Sequence, residues 1–445
     1  MQGPNTCKNC GALLNTDGSC PKCSGVFTVS SDSNFTLTST TTTSVVGPGT
    51  ITPVTSIPYE WIQPPSVKII YTDIEDDLNT QLLILHKAII NGELFDFDNF
   101  KNKCHLIFDS NRDDYALHDR FYQSIGKIWL DLLKLKRYAE AENLWDKIYE
   151  ISDEWDNINR PQRLHKGTLF YFWGVTCLIE NKLDEAFLLM HKAKEEDLLT
   201  YGPKYIDKPA HAFITLDKTV KKQFLRDLID EISYYIGLKI NTYNSTRRGS
   251  LTFEHFQNIF LKQVNDPIIS HKSHVEEMVF YFIYSTFRLR KILVDIKQNI
   301  KDNIFGSLLE INSIFDLCLV IDSYIKSKYA TPQDAERKTF GNHLKFLSNT
   351  GSHGLTTRLQ FQNLGDLNYD FTNDFQTTLD ELIKSAYVIS TGVSLTPIDE
   401  DFAITYGLRN FGGHRIEDQP IIIREFSELT QRVYNALFFL VENFL

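Results

Sequence analysis

From about Glu60 to the C-terminus, apolar side chains return every three or four positions, and strand-like alternation is rare. In the first half, Asp77–Asn91, Leu117–Lys134, Tyr138–Ile151, Gly167–Glu180 and Leu183–Glu195 carry this helical spacing. In the second, Val275, Phe282, Leu289 and Ile296, with Val279, Leu293 and Ile300, mark one long stripe. Leu308–Ser327 reads as a very apolar helix and Glu381–Ile389 as a short one. Ile422–Phe444 sets Phe426, Leu429, Val433, Leu437 and Leu440 on one face. Helices with such faces pack as a bundle, so the expected class is mainly α.

Two of the predicted hairpins echo each other. The run Lys136-Arg137-Tyr138-Ala139-Glu140-Ala141 parallels Asn181-Lys182-Leu183-Asp184-Glu185-Ala186, 45 positions on. Small Ala141 and Ala186 let the second helix of each pair close on the first. Gly174, Ala186 and Ala193 stand where small residues are expected in a tetratricopeptide repeat, which the segment resembles. Its spacing exceeds the usual period of about 34 residues, through a loop holding Arg160-Pro161. Residues 58–265 are therefore read as a helical repeat-like domain, with recognition of a protein or ligand weighed against a plain scaffold.

The pattern changes toward the N-terminus. Residues 26–57 are rich in Ser and Thr, hold Gly47-Pro48-Gly49 and lack the apolar area for a core, so they read as a linker. Ahead of them stand four of the chain's seven cysteines: Cys7, Cys10, Cys20 and Cys23. Two Cys-x-x-Cys turns bring four thiolates to one tetrahedral cage, the chemistry of structural Zn²⁺. Residues 5–25 resemble the small zinc ribbons that head many bacterial proteins. Four cysteine ligands leave no open coordination position, so the metal is expected to fold the ribbon rather than to catalyse. Cys104, Cys177 and Cys318 lie in apolar segments and read as core residues.

Composition narrows the class further. The 445 residues are 42% hydrophobic and 13% aromatic, enough for a core, and the net charge of −11 argues against a basic surface that coats nucleic acid. No apolar run spans a bilayer and the first residues lack a secretory core, so a cytoplasmic protein with no membrane partner is expected. There is no phosphate-binding Gly-rich loop, no Gly-x-Ser-x-Gly elbow and no His-Glu-x-x-His.

The run with most chemistry is Tyr406-Gly407-Leu408-Arg409-Asn410-Phe411-Gly412-Gly413-His414-Arg415. An arginine holds phosphate with its planar fork, and a histidine exchanges protons near neutral pH. Together they suffice for metal-free RNA cleavage: the 2′-OH attacks the adjacent phosphorus, His assists proton transfer and Arg stabilises the transition state.

Arg409-x4-His414, with Asn410 directly after the arginine and ahead of the last helix of an all-α bundle, resembles the HEPN superfamily over about residues 270–445. The resemblance implies a metal-independent ribonuclease of defence or toxin systems. It implies Arg409 and His414 as catalytic, Asn410 as their polar support, and a homodimer, or a higher homo-oligomer, whose two motifs line one cleft. The expected substrate is RNA, transfer RNA among the candidates, with a protein trigger or inhibitor as a further partner. An acidic residue of the first bundle helix often pairs with the motif arginine, and Glu276 and Glu277 are the candidates. Arg415 and Arg424 would add local positive charge.

His343 and His353 read as loop or cap histidines, and His271, His274 and Glu277 have poor metal-ligand spacing. The alternative reading is a non-catalytic helical adaptor that dimerises through a HEPN-like bundle and binds a protein.

Overall fold

The computed structural model describes residues 76–220, 224–265, 275–299, 304–329, 338–348, 364–389, 394–412 and 420–444, with Leu359 and Gly392. The four cysteines expected to hold zinc, the Ser/Thr-rich segment and His414 lie outside the described residues. The described residues all belong to one compact unit.

In chain order the first helices are α1 (Asp76–Asn91), α2 (Phe97–Ser110), α3 (Tyr115–Lys134), α4 (Tyr138–Ile158), α5 (Gly167–Ile179) and α6 (Leu183–Tyr201). Then come α7 (Pro209–Ile214), α8 (Arg226–Arg247), α9 (Phe253–Phe256), α10 (Val275–Asn299) and α11 (Ile304–Ser327). The last are α12 (Phe340–Ser348), α13 (Leu364–Asn373), α14 (Phe375–Ile383), α15 (Pro397–Gly407), α16 (Pro420–Arg424) and α17 (Phe426–Asn443). The protein is mainly α. Among the described residues there is no strand, only an isolated antiparallel bridge between Val388 and Ser394.

Short polar side chains set many helix starts. Asp96, Asp114, Asp374 and Thr396 accept from the backbone N–H three residues on, at the heads of α2, α3, α14 and α15. The Asp374 cap starts α14 at Phe375, so the short helix expected over Glu381–Ile389 lies earlier in the chain. Past Ile383 the backbone turns at Ser385, where φ is 54°.

The stops share a device. Gly92, Lys136, Asn181, Leu216 and Ser385 are all left-handed, with φ between 53° and 71°. The residue after each donates its N–H five positions back, as in Arg137 to the Leu132 carbonyl at 2.9 Å and Lys182 to that of Cys177 at 2.8 Å. Lys136 and Asn181 stand 45 residues apart, the offset at which the sequence echoes itself.

Packing between these hairpins is close. Trp129 of α3 stacks on Phe172 of α5 with ring centroids 4.7 Å apart, and its indole N–H donates to Thr176 Oγ1 at 2.8 Å. Ala141 and Ala186 are fully buried. Cys104, Cys177 and Cys318 are buried and unbonded.

The second half is fastened to the first by aromatic rings. Phe187 of α6 meets Phe280, Tyr284 and Phe287 of α10, each at 5.4 Å. At the far end α8 packs on α17, where Tyr243 donates to Glu442 at 2.5 Å and Gln431 donates to the Lys239 carbonyl at 3.0 Å. The stretch expected as one final helix breaks at Glu425 into α16 and α17. No helix among the described residues is long and apolar enough to cross a membrane.

Candidate functional site

Two helices, α15 and α11, meet at Arg409. α15 does not end at Gly407 but widens into a π-helical turn, Leu408–Gly412, which carries Arg409 and Asn410. Aromatic rings clamp this turn: Phe411 stacks on Phe371 at 5.6 Å and meets Tyr406 at 6.1 Å. Tyr406 donates to Asn368 Oδ1 at 2.9 Å and also bonds the Asn410 side chain. Burial raises the Tyr406 phenol, and the bond from Asn410 works against that. A side chain at Gly407 would collide with the Phe371 ring, so the close approach there needs glycine.

α11 supplies the surroundings of the guanidinium. Its Cζ sits 5.6 Å over the Phe315 ring, and Nη2 lies 4.0 Å from Asp322 Oδ2. Nε is buried without a hydrogen-bond partner, while the side chain as a whole is 28% exposed. The fork therefore reaches solvent from a half-buried root.

Asp322 is shared. Lys326, one turn along α11, places Nζ 2.8 Å from Oδ2, and His343 Nε2 lies 3.0 Å from Oδ1. His343 is fully buried on α12, with Tyr329 Oη 2.9 Å from its other nitrogen, Nδ1. With Tyr329 donating to Nδ1, Nε2 carries the proton on the side of Asp322, in contact at 3.0 Å but without the alignment of a full hydrogen bond. Burial raises the Asp322 carboxyl, but His343 and Lys326 more than offset it and hold it below its ordinary value. α12 is positioned by Thr339 and Asn342, whose side chains bond each other's backbone N–H groups.

Glu276 is not the partner of Arg409. It forms an ion pair with Lys194 of α6 and lies 3.8 Å from His191, and Glu277 also bears on both. The first turn of α10 therefore faces α6, and the carboxylate beside Arg409 comes from α11 instead. Arg424 is engaged by Asp380 at 3.1 Å and Glu425 at 2.8 Å. His343, read from sequence as a loop or cap residue, is a buried link between Tyr329 and Asp322. The only local signal for Asp322 was its i, i+4 spacing from Lys326. His271, His274, His353 and Arg415 lie outside the described residues. Among the described residues no cluster of His, Cys, Asp and Glu is fit to hold a metal ion.

A second polar cluster joins α3, α5 and α6. Nε2 of buried His165 lies 3.4 Å from Asp119 and 3.3 Å from Asp197, and Thr200 sits 3.0 Å from its Nδ1. Burial pulls the His165 imidazole down, yet the bonds to Asp119 and Asp197 outweigh it and push it up to about 9. Asp119 also accepts from Tyr201 at 2.6 Å and Thr168 at 2.8 Å. Nearby, a cavity of about 460 Å³ is lined by Tyr149, Lys166, Phe170, Lys192, Glu196 and Leu199, among others.

No family model matches the chain, and neither a curated protein nor a solved structure matches it.

Proposed function

We propose that residues 270–445 are a HEPN-type, metal-independent endoribonuclease, with Arg409 and His414 as catalytic residues and Asn410 as their polar support. The observation that carries the reading is the unspent charge of Arg409. Arg247 is tied to Asp401 at 2.5 and 2.8 Å, and Arg432 to Asp401 and Glu428 at 3.1 and 2.7 Å. Among the described residues Arg409, by contrast, meets only a carboxylate 4.0 Å away that is shared with His343 and Lys326, and its fork is part-exposed. An oriented guanidinium with this much free charge suits a phosphate.

In the proposed reaction the RNA 2′-OH attacks phosphorus, the 5′-oxygen leaves, and a 2′,3′-cyclic phosphate remains. His414 moves the protons, and Arg409 stabilises charge on the phosphoryl oxygens. Two copies of the chain would line one cleft, in the cytoplasm, as a defence or toxin effector. The zinc ribbon would be held by Cys7, Cys10, Cys20 and Cys23. The helical repeat-like region, whose two hairpins share a turn geometry and flank the cavity, would hold a trigger or inhibitor protein.

The test is incubation of the purified full chain with total and transfer RNA, with and without EDTA, beside His414→Ala. Cleavage by the parent alone, in either condition and leaving cyclic phosphate ends, is expected. Equal cleavage by both proteins would overturn the catalytic assignment. An intact RNA pool with every candidate activator would favour the adaptor.

A further inference from the structure

We infer that His343 is a positioning residue for Arg409, acting through Asp322 and held in turn by Tyr329. A carboxylate next to an arginine does one of two things. It closes on the guanidinium in a bidentate pair and neutralises it, as Asp401 does to Arg247, or it steers the guanidinium from a distance. Asp322 stands in the second role: its Oδ1 is turned to His343 at 3.0 Å and its Oδ2 to Lys326 at 2.8 Å, which leaves Arg409 Nη2 4.0 Å away.

The two donors differ in rigidity. Lys326 is part-exposed on a flexible stem, whereas His343 is fully buried and fixed at its far nitrogen by Tyr329. The ring of Tyr329 is fixed as well, stacked on Phe346 at 4.2 Å. Tyr329, His343 and Asp322 therefore form a rigid strut from α12 to α11. The strut keeps the carboxylate turned so that Arg409 lies over Phe315 at 4.0 Å from Asp322. Without His343, Oδ1 is released, the carboxylate rotates toward Arg409, and the fork is drawn into a direct pair that competes with phosphate.

The consequence for RNA rests on the nuclease reading, but the geometry does not. The experiment therefore has two arms. In the full chain labelled with ¹⁵N arginine, the Nε–Hε signal of Arg409 is assigned by its loss in Arg409→Lys. His343→Gln keeps a donor for Asp322 and is expected to leave that signal in place. His343→Leu is expected to shift it, and so is Tyr329→Phe, a milder change that lets the imidazole turn and serves if His343→Leu does not fold. A signal unmoved in the folded variants overturns the inference, whether or not the protein cuts RNA.

The second arm measures binding of fluorescein-labelled transfer RNA by the same proteins carrying His414→Ala, so that nothing is cut. His343→Leu is expected to weaken binding about tenfold, the scale of one charge-assisted hydrogen bond to phosphate, and His343→Gln to restore it. A shifted arginine signal, with binding indifferent to both His343→Leu and Arg409→Ala, would support the strut and remove the nuclease reading.

Discussion

Arg247 donates two hydrogen bonds to Asp401, of 2.5 and 2.8 Å, across 154 positions of chain. Asp401 is fully buried, and Arg432 of α17 adds a third bond at 3.1 Å. One carboxylate thus fastens α8, α15 and α17. Its removal strands the nearly buried Arg247 and leaves Arg432 with its bond to Glu428, so Asp401→Ala is expected to cost about 3–5 kcal/mol in urea unfolding. Arg424→Ala, which breaks an exposed pair with Asp380, is expected to leave the curve in place. Similar curves for the two variants would refute the distinction.

The His165 cluster makes stability depend on pH. Its folded value of about 9 lies above the unfolded value of about 6.5, so the contribution is complete below about pH 6.5 and is lost as pH rises through about 9. The shift corresponds to about 3 kcal/mol. Urea unfolding across this range is expected to show that loss in the parent and not in His165→Gln. Parallel pH profiles for the two proteins would show that His165 is not the group responsible.

Lys136 holds a left-handed backbone at an exposed helix stop, with φ of 58°. Glycine takes that conformation without strain, although it adds entropy to the unfolded chain. The balance favours Lys136→Gly by about 0.5 kcal/mol, since the left-handed penalty of about 1–2 kcal/mol exceeds the entropy cost. A melting temperature below the parent's would show that the side chain contributes more than the turn geometry implies.

Gly407 is the counterexample, glycine for want of space. A Cβ there would lie 2.3 to 2.8 Å from three atoms of the Phe371 ring. Gly407→Ala is expected to destabilise the protein by about 1–3 kcal/mol and, by displacing the turn after it, to weaken the RNA cleavage proposed above more than the stability loss explains. Full specific activity in the folded fraction would separate Gly407 from the placement of Arg409.

The helices legible in the sequence are those with one apolar face. α1, α3 and α5 start and stop within two residues of where periodicity puts them, while α4 and α6 start as expected and run on past Ile151 and Glu195 to Ile158 and Tyr201. The matching turns at Lys136 and Asn181 are foreshadowed by the echo around Ala141 and Ala186. α15 was not legible. Its charged run Asp399-Glu400-Asp401 reads as surface, yet all three residues are buried. Asp401 is paired by Arg247 and Arg432, and Glu400 lies 3.6 Å from Arg432, partners brought in by the fold and not by neighbouring sequence. The same limit hid the strut: Asp322 and His343 sit on separate helices, and nothing local marks either as a neighbour of Arg409.

The pairing of α8 with α17 carries a consequence for synthesis. Tyr243 and Glu442 are separated by 199 positions. At about 5–20 residues per second, a ribosome needs about 10–40 s to deliver the second after the first. Through that interval the apolar face of α8, with Ile236, Ile240 and Tyr243, has emerged without its cover. The two helices pair only after Glu442 has left the exit tunnel, so a nascent product that stops short of α17 keeps this face open to chaperones and proteases.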